Sequence, residues 1–240
     1  MTVRVGTAGW SVPRQVAQEF PAEGTSLERY AARFTVAEIN SSFHRPHRAS
    51  TWQRWHDSVP ASFRFSVKLP KLITHQLKLE GSDAAVEEFL AQTQALGEKL
   101  AVLLVQLPPK LAFDGAVAGR FFDRLGARTE ANVACEPRHP SWFTPEAEAL
   151  LDRLRVARVA ADPAVCGGAA LPGGWGGFRY WRLHGSPQIY RSSYADRIEI
   201  YASTLSEEAK SGREIWCIFD NTASSAGAGD ALALMEALHG

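Results

Sequence analysis

The sequence predicts a single (β/α)8 barrel, and three observations predict it. Strand-like apolar runs alternate with stretches of helical spacing about eight times along the chain. The length of 240 residues is close to that of this architecture, typically about 250. The rival, a doubly wound open sheet, usually carries a Gly-rich phosphate loop after its first strand. Here that turn reads GTAGW, which is no G-x-G-x-x-G. No Pro- or Ser-rich linker divides the chain, so one domain over residues 1–240 is expected.

In chain order, strands are expected at residues 3–6, 36–40, 63–69, 100–107, 132–136, 156–162, 178–184 and 214–219. Helices are expected at residues 27–34, 83–97, 116–125, 145–154, 194–211 and 226–238. Thr25 with Glu28, and Ser50 with Gln53, have the spacing of a capping box, which satisfies two orphan backbone donors reciprocally. Thr144 before Pro145 is an N-cap followed by proline at the first helical position. Residues 167–177, with six glycines and one proline, are expected to form a loop between strands six and seven.

Composition excludes several classes. Lys plus Arg and Asp plus Glu each number 26, and the chain is 45% hydrophobic and 22% charged, which rules out disorder and a polybasic scaffold. Cys135, Cys166 and Cys217 are too few for a disulfide framework and form no C-x-x-C pair. The N-terminus lacks the apolar core of a signal peptide, and no apolar run is long enough to span a bilayer. A cytoplasmic protein without a membrane partner is expected.

The functional signal lies at the carboxyl ends of the strands. Period two places Glu38 with Asn40, Ser66 with Lys68, Glu136 with Arg138, and Arg182 with His184 on common faces. Gln106, Asp162 and Asp220-Asn221 end other strands, and His75 and His139 follow closely. Barrel strands are buried on both faces, where an unpaired charge is costly. So many polar residues at one end therefore point to a solvated site at the C-terminal rim, where barrels build their active sites. The competing explanation is an internal ionic network, with Glu136 on Arg138 or Lys68 and Asp162 on Arg182.

Two regional features add to this. Residues 39–79 hold seven Lys or Arg against Asp57 alone, a local balance of +6 inside a neutral chain. His44, His47, His56 and His75 are interleaved there with Phe43, Trp52 and Trp55, a mixture that suits an anionic ligand with stackable rings, nucleic acid included. Small residues from Asn221 to Gly229, with His184-Gly185-Ser186, also offer backbone donors of the kind that cradle phosphate at a helix start.

The segments GTAGW, EINSSFHR, FSVKLPKLITH, LLVQLPP, CEPRHPSW, YWRLHG and FDNT occur here in one order. That series resembles the domain of unknown function 72 family, also called YecE-like, over almost the whole chain. The resemblance implies a TIM-type barrel and no particular reaction. Its pattern lands on Gly6, Gly9, Trp10, Glu38, Asn40, Lys68, His75, Gln106, Pro108, Pro109, Glu136, Arg138, His139, Trp142, Asp162, Arg182, His184, Gly185 and Asn221. This chain departs from the pattern with His44 in place of tyrosine and Asp220 in place of asparagine. It departs again after Trp10, with Ser-Val-Pro-Arg-Gln where aromatic residues are usual.

Together these observations predict an enzyme acting on a phosphorylated or phosphodiester substrate. Glu38, Lys68, Glu136, Asp162 and His184 are the expected catalytic residues. Asn40, His75, Gln106, Arg138, His139, Trp142, Arg182, Gly185 and Asn221 are expected to bind substrate. A divalent metal on Glu136, Asp162 and His184 fits the same chemistry. The alternatives are a sugar hydrolase or isomerase using Glu136 and Glu38 as a carboxylate pair, and a non-catalytic binder of nucleic acid or another anion. A nucleophilic mechanism finds no motif: Cys135 has opposite parity to Glu136, and no G-x-S-x-G elbow is present.

Overall fold

Ten strands form one sheet that wraps into a nearly closed, mostly parallel barrel, in the computed structural model of residues 3–239. Residues 1, 2 and 240, which the expected domain span includes, lie outside the described residues. The strands are β1 (Val3–Ala8), β2 (Val36–Ile39), β3 (Arg64–Lys68), β4 (Leu100–Gln106), β5 (Asn132–Glu136), β6 (Val156–Arg158), β7 (Ala160–Asp162), β8 (Gly173–Gly174), β9 (Phe178–Leu183) and β10 (Glu214–Phe219). The helices are α1 (Ser26–Ala31), α2 (Ala49–Asp57), α3 (Asp83–Thr93), α4 (Gly115–Gly126), α5 (Pro145–Arg153), α6 (Ile198–Ala209) and α7 (Gly227–His239). None is long and apolar enough to cross a membrane. The order β7-β9-β10-β1-β2-β3-β4-β5-β6-β8 is parallel except where β8 pairs antiparallel with β6.

The expected sixth strand is broken at Val159. Its first half, β6, pairs with β5, and its second half, β7, pairs with β9, so one short stretch of chain brings the two edges of the ring together. The glycine-rich stretch that follows holds a 3-10 turn, Gly167–Ala170, and the two-residue strand β8, so it is not wholly loop. Gly174 sits at φ +60, and a Cβ on Gly173 would meet the Arg158 guanidinium at 2.3 Å. Among the described residues no α-helix lies between β7 and β9, which leaves seven α-helices around the barrel.

Local signals set most helix starts. The Thr25/Glu28 capping box forms, and Thr144 accepts the Ala147 N–H with Pro145 in the first turn of α5. The Ser50/Gln53 box does not form, because α2 starts two residues earlier than that box requires, with Arg48 at its cap and Ser50 inside the helix. The expected helix over 83–97 stops at Thr93 and continues as a 3-10 turn, because Gly97 adopts φ 50, ψ −135, outside the helical region. Residues 194–197 are not helical, and α6 begins at Ile198.

Two apolar layers result. One lies between strands and helices; the other fills the barrel with Val36, Val102, Leu104, Ala134, Ala157, Phe178, Tyr180, Trp216 and Ile218. Tyr180 and Trp216 stack there, with ring centroids 6.0 Å apart. β1 passes close to β2 at Gly6, where a Cβ would lie 2.4 Å from the Val36 carbonyl oxygen. Gly6→Ala is therefore expected to cost about 1–3 kcal/mol through overpacking, measured as a lowered urea midpoint at unchanged m-value. Wild-type stability in that variant would show that β1 and β2 do not approach this closely.

Candidate active site at the barrel mouth

Strand parity builds the site. The residues that follow the interior positions by two or four along the strands, apolar ones except for Ser66 before Lys68, are Glu38, Lys68, Gln106, Glu136, Arg182, His184 and Asp220, so their side chains crown the barrel interior. Arg182 is the centre, with 0% of its surface exposed. Its Nε donates to Glu38 Oε2 (3.0 Å), and one terminal nitrogen donates to Glu38 Oε1 (2.7 Å) and Asp220 Oδ2 (3.0 Å). The other terminal nitrogen donates to Glu136 Oε2. Tyr180, two residues before Arg182, donates its hydroxyl proton to Glu38 Oε2 at 2.8 Å. It was not singled out in the sequence, although it shares the parity of Arg182 and His184.

Glu136 is saturated. Its Oε1 accepts from Gln106 Nε2 (3.0 Å), Arg138 Nε (2.9 Å) and His184 Nε2 (3.1 Å). Burial alone would raise its pKa, but the charges of Arg182, His184 and Arg138 hold it well below the carboxylate range. His184 bridges two carboxylates, with Nδ1 on Asp220 (2.9 Å) and Nε2 on Glu136. Burial opposes charge on the ring, yet the Glu136 charge and the hydrogen bonds to both acids outweigh it and raise the His184 pKa. Both ring nitrogens thus donate, and His184 is an imidazolium. Asp220 departs from the family pattern, but its negative charge is answered inside the network by Arg182 and His184, which hold its pKa down against burial. The internal network weighed above therefore exists and includes the expected Glu136–Arg138 pair, but Arg182 meets Glu38, Glu136 and Asp220 rather than Asp162.

Lys68 is different. It is 9% exposed, and among the described residues no carboxylate lies within salt-bridge distance of it. Its ammonium lies over the Phe43 ring, 4.2 Å from the centroid. Burial and then the Arg182 charge depress its pKa to about 8, against the pull of Glu38, Glu136 and Asp220. His75 is half-buried beside Phe43, with centroids 4.9 Å apart. Burial, then Lys68, Arg138 and Lys71, lower its pKa and keep the ring neutral. Arg138 gives its Nε to Glu136 and remains 24% exposed. A cavity of about 190 Å³ opens at this mouth, with Glu136, Arg138 and His184 in its lining and Val159, Val165 and Ile189 among its walls. Asn40 donates Nδ2 weakly to Asp220 (3.4 Å), while its Oδ1 is buried without a donor.

Several expected site residues are turned elsewhere. Asp162 accepts from Arg197 (2.8 Å) and Tyr201, anchoring the loop between β9 and α6. Trp142 is 1% exposed and donates Nε1 to the Leu111 carbonyl at 2.9 Å, so it belongs to the core. His139 pairs Nδ1 with Ser141 Oγ and caps a 3-10 turn. The Gly185 N–H donates to Tyr194 Oη, and Asn221 Nδ2 donates to Ser192 and to Asp230 in the first turn of α7. Part of the expected phosphate cradle therefore has its donors engaged, and a carboxylate sits at its helix start. Trp52 is buried, and Trp55, half-buried, packs edge-on against Trp10.

The donor set Glu136, Asp162 and His184 does not fit a divalent metal. Asp162 faces Arg197, the His184 nitrogens are both protonated, and the guanidinium of Arg182 occupies the centre of the carboxylates. Among the described residues no group of three His, Cys, Asp or Glu is placed to hold a metal ion.

The chain is similar to the Escherichia coli K12 protein YecE, at 32% identity over 153 residues, which cover 63% of this chain and 54% of that one. It thus spans about half the length of the curated relatives it matches. A DUF72 family protein from Thermotoga maritima superposes with a TM-score of 0.81 at 23% identity, covering both chains completely. A D-psicose 3-epimerase from Clostridium cellulolyticum, solved with D-tagatose, shares the fold with a TM-score of 0.53 at 10% identity, covering 100% of this chain and 97% of that one. The family model described as "Protein of unknown function DUF72" matches residues 4–240, and the chain belongs to that family.

Proposed function

We propose that this protein is an enzyme acting on an anionic substrate of the phosphorylated or phosphodiester class, bound at the barrel mouth. The observation that carries this is Lys68, a buried ammonium at the end of β3 with no carboxylate partner among the described residues, at the same end of the barrel as the cavity that Arg138 lines. Ionised groups are rarely buried unless paired, and an incoming phosphate oxygen supplies the missing partner. With its pKa near 8, Lys68 also exchanges protons close to neutral pH, as a general acid or base must. Arg182, Glu136 and His184 act one step back: they are locked in charge and position and fix the floor on which the substrate rests. Glu38, Glu136 and Asp162 are therefore not the base, and a carboxylate pair for sugar chemistry is disfavoured because Arg182 bridges Glu38 and Glu136. The fold shared with the epimerase stands on the sugar side.

Sulfate, whose charge is constant across the range, tests the anion site by calorimetry. An anion raises the Lys68 pKa, so binding takes up protons near pH 8, and affinity is flat below about 8 and falls above it. Lys68→Met is expected to weaken sulfate at least tenfold, on the order of the value of a charge-assisted contact. Unchanged affinity in that variant, at every pH from 6 to 9, would remove Lys68 as the anchor. Turnover of p-nitrophenyl phosphate or its diester tests the reaction; sulfate binding without turnover of either ester would leave a binder rather than an enzyme.

A further inference from the structure

A second cavity, of about 250 Å³, opens between the β2–α2 connection, the β3–α3 connection and α3. Phe43, Trp52, Leu72 and Phe89 give it apolar walls, and Arg45 and Lys71 bring positive charge to it, with Glu88 the single acid in its lining. It exceeds the roughly 150 Å³ that accepts benzene in an engineered apolar cavity, so two fused rings find room. Lys68 is not part of its lining, although Phe43, which is, also carries the Lys68 ammonium.

Two further observations point to a ligand there. Trp52, in the lining, is 1% exposed, and its Nε1–H is buried with no acceptor, a costly state for a donor. The wall Leu72–Gln76 is a single π-helical turn, closed by the Leu77 N–H on the Leu72 carbonyl at 2.8 Å. Lys78 and Leu79 then follow at φ 52 and 73, in the left-handed region that non-glycine residues avoid. Such π turns and strained backbone recur at functional sites. Leu72 itself is apolar and 46% exposed at this position.

We infer that this cavity is a second ligand site, for a flat aromatic acid whose rings lie among Phe43, Trp52 and Phe89 and whose acid group meets Arg45 and Lys71. Apolar walls provide the binding area and the two cations select charge, so the acid is held more tightly than a neutral analogue of the same shape. This site is independent of the reaction proposed at the mouth.

The probe is 2-naphthoate, titrated calorimetrically beside the neutral 2-naphthalenemethanol. One molecule of 2-naphthoate is expected to bind per chain, more tightly than the alcohol. Ala85→Phe, which fills the cavity from α3, is expected to weaken it at least about tenfold. Lys71→Ala is expected to weaken it about tenfold and bring it towards the alcohol. Lys68→Met is expected to leave it within about twofold. Circular dichroism checks that each variant folds; should Ala85→Phe fail, Lys71→Ala, an exposed side chain, still decides. Absence of 2-naphthoate binding overturns the site, as does affinity indifferent to Lys71→Ala. A loss confined to Lys68→Met would place the acid in the mouth and overturn it as well.

Discussion

Arg182→Ala is expected to destabilise the protein by about 3–5 kcal/mol, the cost of breaking a buried ion pair, and to reverse the way its stability responds to acid. The guanidinium is fully buried and is the partner of Glu38, Glu136 and Asp220 at once, so its removal leaves three carboxylates facing one another, paired with His184 and Arg138 and more distantly answered by Lys68. In the wild type, Glu136 and Asp220 are held below their ordinary pKa values. They therefore contribute stability that is complete above the unfolded values of about 4 and is lost as the pH falls through the folded ones. His184 works in the opposite direction: its raised pKa gives stability that is complete below about 6.5 and is lost as the pH rises through the folded value. Without Arg182 the buried carboxylates take up protons more readily folded than unfolded, so lowering the pH from 7 to 5 stabilises the variant. Urea denaturation of both proteins at pH 3, 4, 5 and 7 reads the slopes, because the wild-type loss through Glu136 and Asp220 sets in only below about pH 4. A variant that loses stability between pH 5 and 3 in parallel with the wild type would show that Arg182 does not neutralise these acids.

Trp142→Ala is expected to cost about 3–5 kcal/mol, the range for deleting a large buried aromatic, while leaving sulfate affinity per folded molecule unchanged. Its ring is 1% exposed and packs edge-on against Phe113 at a centroid distance of 5.0 Å. Its loss also strands the Leu111 carbonyl, which accepts the indole N–H. Denaturation together with the sulfate titration separates the two roles. Were Trp142→Ala as stable as wild type but unable to bind sulfate, the ring would be a ligand contact after all.

Trp142 also shows why the sequence misplaces some site residues. It stands four residues after Arg138 in a motif rich in polar groups, and proximity in sequence suggests a shared role. The short 3-10 turn Pro140–Trp142 then points it into the core rather than the mouth. Asp162 fails in the same way. It ends the strand at the correct height, but the break at Val159 hands its half of the strand to β9, and Arg197 and Tyr201 reach it from α6 and its approach. Lys68, Gln106, Glu136, Arg182 and His184 lie at the expected end of the barrel because nothing more than strand parity is needed to point them inward.

The sequence by itself determined the barrel, the parity that aims its polar residues at one end, and the capping of α1 and α5. All of these depend on residues within a few positions of one another, where period and cap chemistry act locally. Only the tertiary structure decided which charges meet. Arg182 lies 144 residues from Glu38 and 46 from Glu136, and their pairing is set by ring closure rather than by any local pattern. Ring closure also sets His184 between Asp220 and Glu136 and leaves Lys68 without a carboxylate among the described residues. The physical reason is that burial makes every charge depend on its neighbours across the barrel, and those neighbours come from strands that the chain reaches only after folding around the whole ring.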